Sequence, residues 1–345
     1  MANSNVYQSK LKRLVFENET TVGTANALDA DSFWVPAFDV SVARDRGEQI
    51  IAREGVMDGF AGEMCGTPGS QGSTLSFSTE IHPTEDEATY FIRLLQGSGW
   101  EGSDSGSVVT MYPSHAPIVG YTAVEPSSLT FGYIQRNDTI DDTMLSMTGS
   151  TGAVTMVFNS GQRAQMDFSF VGFQDQFITT GSFDTVGDNT FTGIDCSPFV
   201  VKGITATMTD SGAGTIDVVE LADLTLNSNA STPDVLDPTA ASGFGVSPVL
   251  FGAPTVSFTI AATENNNQVF WQNFKSGATI AIALTLTDSA TSNSIALTLS
   301  QVQFTGVTMQ DKNGFESYSI EGKVVRSPGA SYQDAGSLCR FAWTY

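Results

Sequence analysis

One stretch of the sequence occurs twice in altered form, and this duplication constrains the fold more than any other feature. Residues 73–99 read STLSFSTEIHPTEDEATYFIRLLQGSG, and residues 254–277 read PTVSFTIAATENNNQVFWQNFKSG. Both begin with a short alternation of apolar and polar residues, reach Thr-Glu, continue through a helical pattern with aromatic residues on one side, and end at glycine. We therefore predict that the chain contains two copies of one unit in tandem.

The match continues beyond the helical pattern. Val154–Met156 corresponds to Val307–Met309, and Gly161 corresponds to Gly314, with no gap between residues 129 and 161. Residues 100–126 have no counterpart, so we expect an insertion in the first copy. The predicted division is a first domain over residues 1–198, with an N-terminal arm and a linker near residues 173–198, a second domain over residues 199–326, and a C-terminal arm over residues 327–345.

Strict alternation of apolar and polar residues identifies most of the chain as β-strand. Residues 279–287 (TIAIALTLT) place aliphatic side chains on one side, and residues 294–300 (SIALTLS) repeat the pattern after a segment of turn-forming residues. The sequence Lys312-Asn313-Gly314 carries the Asn-Gly signal of a tight hairpin turn. The predicted fold is mostly β, a β-sandwich or curled antiparallel sheet.

Each copy also predicts one short α-helix packed on the sheet. In the first copy Thr84 stands at the N-cap position, and Glu87, three residues later, completes a capping box. A glycine follows each helical pattern, where a C-cap is favoured. The residues predicted to form the helix core of the two repeats are Phe91, Ile92, Leu95, Phe270, Trp271 and Phe274.

Two long segments with little periodicity precede the helix-containing blocks, at residues 43–72 and at about residues 227–254. Loops longer than about 12–15 residues in a compact domain are usually functional or disordered. Because the two segments occupy equivalent positions, we expect both to be functional. The charged candidates in the first segment are Arg44, Asp45, Arg46, Glu54, Asp58 and Glu63.

The charge balance excludes several classes of function. The chain has 37 acidic and 15 basic residues, a formal net charge of −22, so its surface repels nucleic-acid phosphate and a DNA-reading role is disfavoured. The three cysteines are widely spaced and give neither a disulfide framework nor a metal-ligand pattern, so we expect reduced thiols. We expect no signal peptide and no contact with a membrane, because the apolar runs are far too short to span one.

The sequence contains no recognisable catalytic motif. His82 and His115, the two histidines, lie in predicted loops without metal-binding spacing, and we expect both to be exposed. The local carboxylate clusters are explained by helix capping or turns, and none has the spacing of a calcium loop. We predict no enzyme activity, no cofactor and no metal. A hydrolase on a β scaffold, with a site formed by acidic residues far apart in the sequence, is the third hypothesis, after the two that follow.

The order of elements resembles one known family. The opening LVFENETTVGTANALDADSFWVPAFDVSV (residues 14–42), followed by EQIIAREGVMDGFAGEMCGTPGSQGSTLSFSTEI (residues 48–81), is similar to the start of the tail tube proteins of long-tailed bacteriophages. There an early strand and a Gly-Thr step lead to a long loop, a sheet strand and a helix. The resemblance covers both repeats, over about residues 14–326.

This resemblance implies a structural virion protein, assembled in the host cytoplasm into rings that stack as the tail tube. Such rings are mostly six-fold, so a chain with two tube domains implies a trimer with pseudo-six-fold symmetry. Residues 43–72 would then be the ring-stacking loop. The implied partners are further copies of the chain, the tape measure, tail terminator and distal tail proteins, and genomic DNA that passes through the lumen without specific binding.

Two details of that arrangement are also predicted. The small side chains of residues 281–285 are one candidate for the lumen, and the aromatic C-terminal arm is expected to reach a neighbouring subunit. The competing hypothesis is a two-domain β-sandwich binding module, an adhesin or carbohydrate binder on a virion or cell surface. A tube protein is favoured by the paired long loops and repeated hairpins, whereas a secreted module would carry a signal peptide.

Overall fold

The computed structural model describes most of the chain. The described residues are 12–47, 50–57, 60–82, 85–104, 108–113, 127–136, 141–173, 179–187, 199–201, 205–210, 216, 221, 223–288, 292–312, 314–326 and 339–344. None of the helices in this part of the chain is long and apolar enough to cross a membrane.

The described residues form strands and two helices, which we number in chain order. The elements of the first half are β1 (Lys12–Asn18), β2 (Phe33–Val35), β3 (Ala37–Arg46), β4 (Ile50–Met57), β5 (Phe60–Pro68), β6 (Gly72–Glu80), α1 (Glu85–Gly97), β7 (Trp100–Asp104), β8 (Val108–Pro113), β9 (Leu129–Gln135), β10 (Asp142–Asn159), β11 (Gln165–Phe173) and β12 (Thr179–Gly181). Those of the second half are β13 (Thr205–Asp210), β14 (Asp223–Asn227), β15 (Ala230–Ser231), β16 (Leu250–Phe251), β17 (Thr255–Ala261), α2 (Glu264–Ser276), β18 (Thr279–Thr287), β19 (Ser294–Lys312), β20 (Phe315–Val324) and β21 (Cys339–Thr344).

The mostly β prediction is confirmed, and the alternating segments form strands where the pattern placed them. Strand β18 buries Ile280, Ile282, Leu284 and Leu286 on one side. It pairs antiparallel with the start of β19, as predicted for a hairpin. At the other end of β19, Lys312 is opposite Phe315, and Gly314 has a φ of 86°, a value that glycine adopts at low cost.

Eight strands pair in succession as one antiparallel sheet, which we call the main sheet. Its strands lie in the order β3, β6, β11, β10, β14, β17, β20 and β19. Strands β10 and β19 are long, with 18 and 19 residues, and each belongs to the main sheet only over its C-terminal half. Their N-terminal halves belong to a second layer that packs beneath the main sheet.

The second layer contains two groups of strands. Strands β2, β1, β9, β10 and β12 form one group, and β13, β18, β19, β21, β8 and β7 form the other. The two layers bury one continuous hydrophobic core. Aromatic contacts join them, with ring centroids 4.8 Å apart for Phe131 of β9 and Phe170 of β11.

One order of pairing occurs twice along the chain. In the first half, β3 pairs with β6, β6 with β11, β11 with β10, and β10 with β9. In the second half, β14, β17, β20, β19 and β18 pair in the same succession. Each helix has 13 residues and follows the second strand of its set.

The helices pack on the layers through fewer aromatic residues than the sequence predicts. Phe91 is buried in α1, with its ring 5.5 Å from that of Trp343, and Leu95 is also buried, whereas Ile92 is partly buried. In α2, Phe270 is fully buried between Phe304 and Tyr318.

The prediction that Trp271 and Phe274 lie in the core of the subunit is wrong. They are 44% and 42% exposed. The buried face of α2 follows the helical period through Asn266, Phe270 and Asn273, and Asn266 fits there because its side-chain amide donates to the carbonyl of Ala261 at 3.2 Å.

Three further expectations need correction. Residues 43–72 are not a loop, because β3 extends to Arg46 and β4 and β5 form a separate two-stranded hairpin sheet. The end of the expected C-terminal arm is strand β21, which lies between β19 and β8 of its own chain. His82 is buried, with Nε2 3.8 Å from a carboxylate oxygen of Glu80, while His115 lies outside the described residues.

Candidate functional site: the polar face and open edges of the main sheet

The main sheet has one face turned toward the core and one turned away from it. On the core side, Thr79, Met166, Met156, Leu226, Val256, Gly322 and Phe304 stand directly opposite one another on successive strands, and all are buried. One residue away, the side chains point to the other face, because a strand alternates its sides at every residue. A second row there contains Ser78, Asp167, Thr155, Asn227, Thr255, Lys323 and Gln303. We call this the polar face.

Short hydroxyl side chains dominate the polar face, and its charges are few. Seven of its eight strands, β6, β11, β10, β14, β17, β20 and β19, contain only two basic residues, Lys312 and Lys323. The eighth, β3, adds Arg44, which is half-buried, and Arg46, which is buried. Lys312 is 3.6 Å from a carboxylate oxygen of Asp223, and Glu80 forms an ion pair with Arg163. Among its described residues, the face therefore has no cluster of cations that would bind a phosphate backbone strongly.

The main sheet is open at both of its ends. Among the described strands, β3 pairs only with β6, and residues 308–312 of β19 pair only with β20. Exposed apolar side chains accompany both edges. Phe38 of β3 is 45% exposed and Met309 of β19 is 46% exposed. Edge strands of this kind are templates for pairing with another strand.

In the middle of the main sheet, an equivalent edge is covered within the chain. Residues 155–159 of β10 pair with β14, with Thr155 opposite Asn227, Met156 opposite Leu226 and Val157 opposite Thr225. Met156 and Leu226 are buried there. We call this pairing the internal joint, because it connects the strands of the first half of the chain to those of the second half.

The segment that follows β14 strengthens the internal joint. The Ser228 backbone N–H donates to the carbonyl of Val154 at 3.1 Å, and the Thr151 hydroxyl donates to the carbonyl of Ser247 at 2.7 Å. Beyond these bonds, Arg46 at the end of β3 forms an ion pair with Asp234 and donates to the Ser247 hydroxyl at 3.1 Å. No sequence pattern indicated the roles of Asp234 and Ser247, because they lie about two hundred positions from Arg46.

The six charged candidates of residues 43–72 therefore do not share one environment. Arg46 is buried, with its guanidinium 5.2 Å from the centre of the Phe244 side-chain ring. It is therefore not available for contact with a stacked ring of subunits. Asp45 accepts a hydrogen bond from Thr74 at 2.9 Å, and Arg44 is half-buried on β3. Glu54 and Glu63 are paired positions of the β4–β5 hairpin. Asp58 lies outside the described residues.

The helix caps can be compared with the prediction in the second copy only. In the second copy Thr263 is the N-cap of α2 and accepts from the Asn266 backbone N–H, and Gly277 is a left-handed C-cap. In the first copy α1 begins at Glu85 and ends at Gly97. Thr84 lies outside the described residues, and Glu87 lies in the first turn of α1.

No group of three or more potential metal ligands occurs among the described residues. A comparison with protein families gives a match to the model described as phage tail tube protein, over residues 10–334. The chain belongs to the phage tail tube protein family. A search of curated proteins gives no match.

Membership defines the general role of this tail tube protein. It is a structural protein of the phage tail, it belongs to the virion, and its family is not enzymatic. Tail tube proteins assemble with one another and with other tail proteins. Open strand edges and exposed apolar residues are typical of surfaces that a partner covers. The match also favours the tube hypothesis over the binding module and the hydrolase.

Proposed function

We propose that this tail tube protein forms trimeric rings with pseudo-six-fold symmetry, which stack into the tube through which phage DNA passes. Each chain contributes two tandem tube-like domains, residues 1–198 and 199–326. The observation that carries the proposal is the order of strand pairing that occurs twice, in β3 to β9 and in β14 to β18, around an internal joint. Three chains then supply six domains to one ring.

The polar face is proposed as the wall of the lumen, in place of the small residues 281–285 that the sequence suggested. Those residues lie on β18 of the second layer, whereas the polar face spans the whole main sheet. A wall of hydroxyl groups with two lysines offers moving DNA few strong phosphate contacts. The net charge of −22 per chain acts in the same direction.

The remaining contacts of the tube follow from the same arrangement. The β4–β5 hairpin, which does not pair with the main sheet among the described strands, is proposed as the contact between stacked rings. The ends of the tube would contact the tape measure, tail terminator and distal tail proteins. Assembly would take place in the host cytoplasm.

Electron cryo-microscopy of assembled tubes tests the ring proposal. We expect three chains per ring, with six similar but unequal lobes in end view. Six chains per ring, with twelve lobes, would contradict it. Mass photometry of the same sample, mildly dissociated, should give a species of three chains, and a purely monomeric and dimeric distribution would also count against the trimer.

A further inference from the structure

The structure points to the partner of each open edge. Resting on the ring proposed above, we propose that residues 308–310 of one subunit pair antiparallel with residues 41–43 of β3 in a second copy. The register places Thr308 opposite Ala43, Met309 opposite Val42, and Gln310 opposite Ser41. The joint between subunits then repeats the internal joint of each chain.

The first step is the equivalence of β10 and β19. Both strands change partners at a bulge. In β10 the irregularities fall between Met147 and Ser150 and between Thr148 and Thr151, and in β19 they fall between Leu299 and Val302 and between Phe304 and Gly306. After the bulge, each strand has its hairpin partner, β11 or β20, on one side. On the other side β10 has β14, and β19 has no described strand.

The second step is the equivalence of β14 and β3. Strand β14 pairs with β17 so that Leu226 is opposite Val256, and β3 pairs with β6 so that Val42 is opposite Leu75. Leu75 and Val256 are the matching positions of the TLSF and TVSF segments. Val42 therefore holds the position of Leu226, and Ser41 and Ala43 hold those of Thr225 and Asn227.

The side chains of the two joints match in kind. Internally, Thr155–Val157 faces Thr225–Asn227, which places Met156 against Leu226 on the core side. Between subunits, Thr308–Gln310 would face Ser41–Ala43, which places Met309 against Val42. In both joints a methionine meets an aliphatic residue, and the flanking residues are small or polar except for Val157 of the internal joint.

The exposure of β19 differs from that of β10 in the way expected for a strand without a partner on one side. Met156 is fully buried, whereas its equivalent Met309 is 46% exposed. The stretch 308–311 is exposed at every residue, although 155–158 alternates between half-buried and buried. A strand laid along β19 would restore that alternation, and a second copy of the chain carries the matching strand on its own opposite edge.

The length of the new ladder is also defined. Strand β3 has a register shift between Phe38 and Ser41, and Asp39 has a φ of 51°. Such a bulge interrupts regular pairing, so we expect the ladder between subunits to be shorter than the five-residue internal one. The contact is head-to-tail, because one subunit uses β19 and the other uses β3, and contacts of this type form a ring when the rotation between subunits closes.

Disulfide cross-linking of the full chain tests this register. The parent is the double variant Cys65→Ser and Cys196→Ser, which retains Cys339. Burial raises the pKa of the Cys339 thiol to about 12, so this residue does not compete for oxidation. The matched pair is Ser41→Cys with Gln310→Cys, whose β-carbons would be about 4.5–5.5 Å apart across the joint.

Two further pairs serve as controls. Val157→Cys with Thr225→Cys is the same pair in the internal joint, where oxidation should occur within one chain and leave its mass unchanged. Ser76→Cys with Gln310→Cys moves the first cysteine to the next strand, to an exposed serine opposite Ser41, which adds about 4.8 Å. All variants are oxidised under assembly conditions and compared on non-reducing gels beside negative-stain images.

We expect the matched pair to convert most of the 36.6 kDa chain into linked dimers and trimers, and the Ser76 pair to remain largely monomeric. Linked dimers from Gln310→Cys alone would show that two β19 edges face each other and would overturn the proposal. Tubes without a cross-link from the matched pair, while the internal pair oxidises, would overturn this register and leave the tube intact. If concentrated protein forms no tubes and gives no cross-links, both proposals are overturned.

Discussion

At the scale of a residue, Glu17 shows how partial burial affects a carboxyl group in this acidic protein. The side chain lies half-buried on β1, and burial raises the pKa of its carboxyl above the ordinary value. The backbone N–H of Asn18, which donates to Glu17 at 3.2 Å, and the nearby Arg93 act in the opposite direction, while Asp29 and Asp31 add to the rise. Because the pKa is higher in the folded state than in the unfolded state, ionised Glu17 disfavours folding.

We therefore predict that Glu17→Gln raises the Tm at pH 7. The gain should shrink as the pH falls through the raised pKa of Glu17, and it should vanish at about pH 3, where the carboxyl is protonated in both states. Differential scanning fluorimetry at the two pH values measures the effect. Glu316→Gln, which changes an exposed carboxylate on β20, is the control. A gain of equal size at both pH values would show that ionisation is not its cause.

At the scale of an element, helix α2 has one face that is buried in the subunit and an exposed apolar face that we expect a neighbouring subunit to cover. Phe270 is fully buried between Phe304 and Tyr318, whereas Phe274, one turn later, is 42% exposed. Trp271 is also exposed, although its indole N–H donates to the Tyr318 hydroxyl at 3.3 Å. In α1, Leu95 holds the position of Phe274 and is buried.

Phe270→Ala should destabilise the subunit by about 3–5 kcal/mol, because it removes a large side chain from a closed core. Phe274→Ala should change the unfolding free energy by only about 0.5 kcal/mol, as exposed substitutions usually do. Urea denaturation of unassembled protein measures both. If Phe274 is covered in the ring as Leu95 is in the chain, Phe274→Ala should still reduce tube yield in sedimentation assays. Equal destabilisation by the two substitutions would contradict this assignment of the helix faces.

At the scale of the whole molecule, the β4–β5 hairpin is a separable part. Arg46 and Gly72 are directly opposite each other on β3 and β6, so the chain enters and leaves the hairpin at neighbouring points. Deletion of residues 48–70 leaves Gly47 and Gln71 as a two-residue connection, a length that suits an antiparallel hairpin. We predict folded subunits that form rings but do not stack into long tubes.

Circular dichroism and negative-stain microscopy of the deletion variant measure the two parts of that prediction. An unchanged β spectrum with isolated rings is the expected result. Tubes of normal length would show that the hairpin is not the contact between rings. A variant in which Glu54 and Glu63, which are paired positions of the hairpin, are both changed to glutamine retains the hairpin and serves as the matched control.

Local pattern was sufficient for much of the secondary structure. The alternation in residues 279–300 predicted β18, β19 and their buried sides, and the Asn-Gly signal predicted the turn between Lys312 and Phe315. The β4–β5 hairpin escaped prediction, because a two-stranded sheet apart from the main layers need not alternate apolar and polar residues. Strand β21 escaped because its short, aromatic segment gave no local sign of its partners, β19 and β8.

The sequence by itself determined the class of the protein, because the duplicated strand–helix pattern and the charge balance are local or additive properties that one chain displays directly. Only the tertiary structure decided which strands meet. The ion pair of Arg46 with Asp234 and the internal joint of β10 with β14 connect residues far apart in the chain. Strand propensity and alternation state that a segment will pair and which side it buries, but the choice of partner depends on the free energy of the assembled sheet. For that reason the open edges, which carry the proposed contact between subunits, could be identified only from the strand pairing of the folded chain.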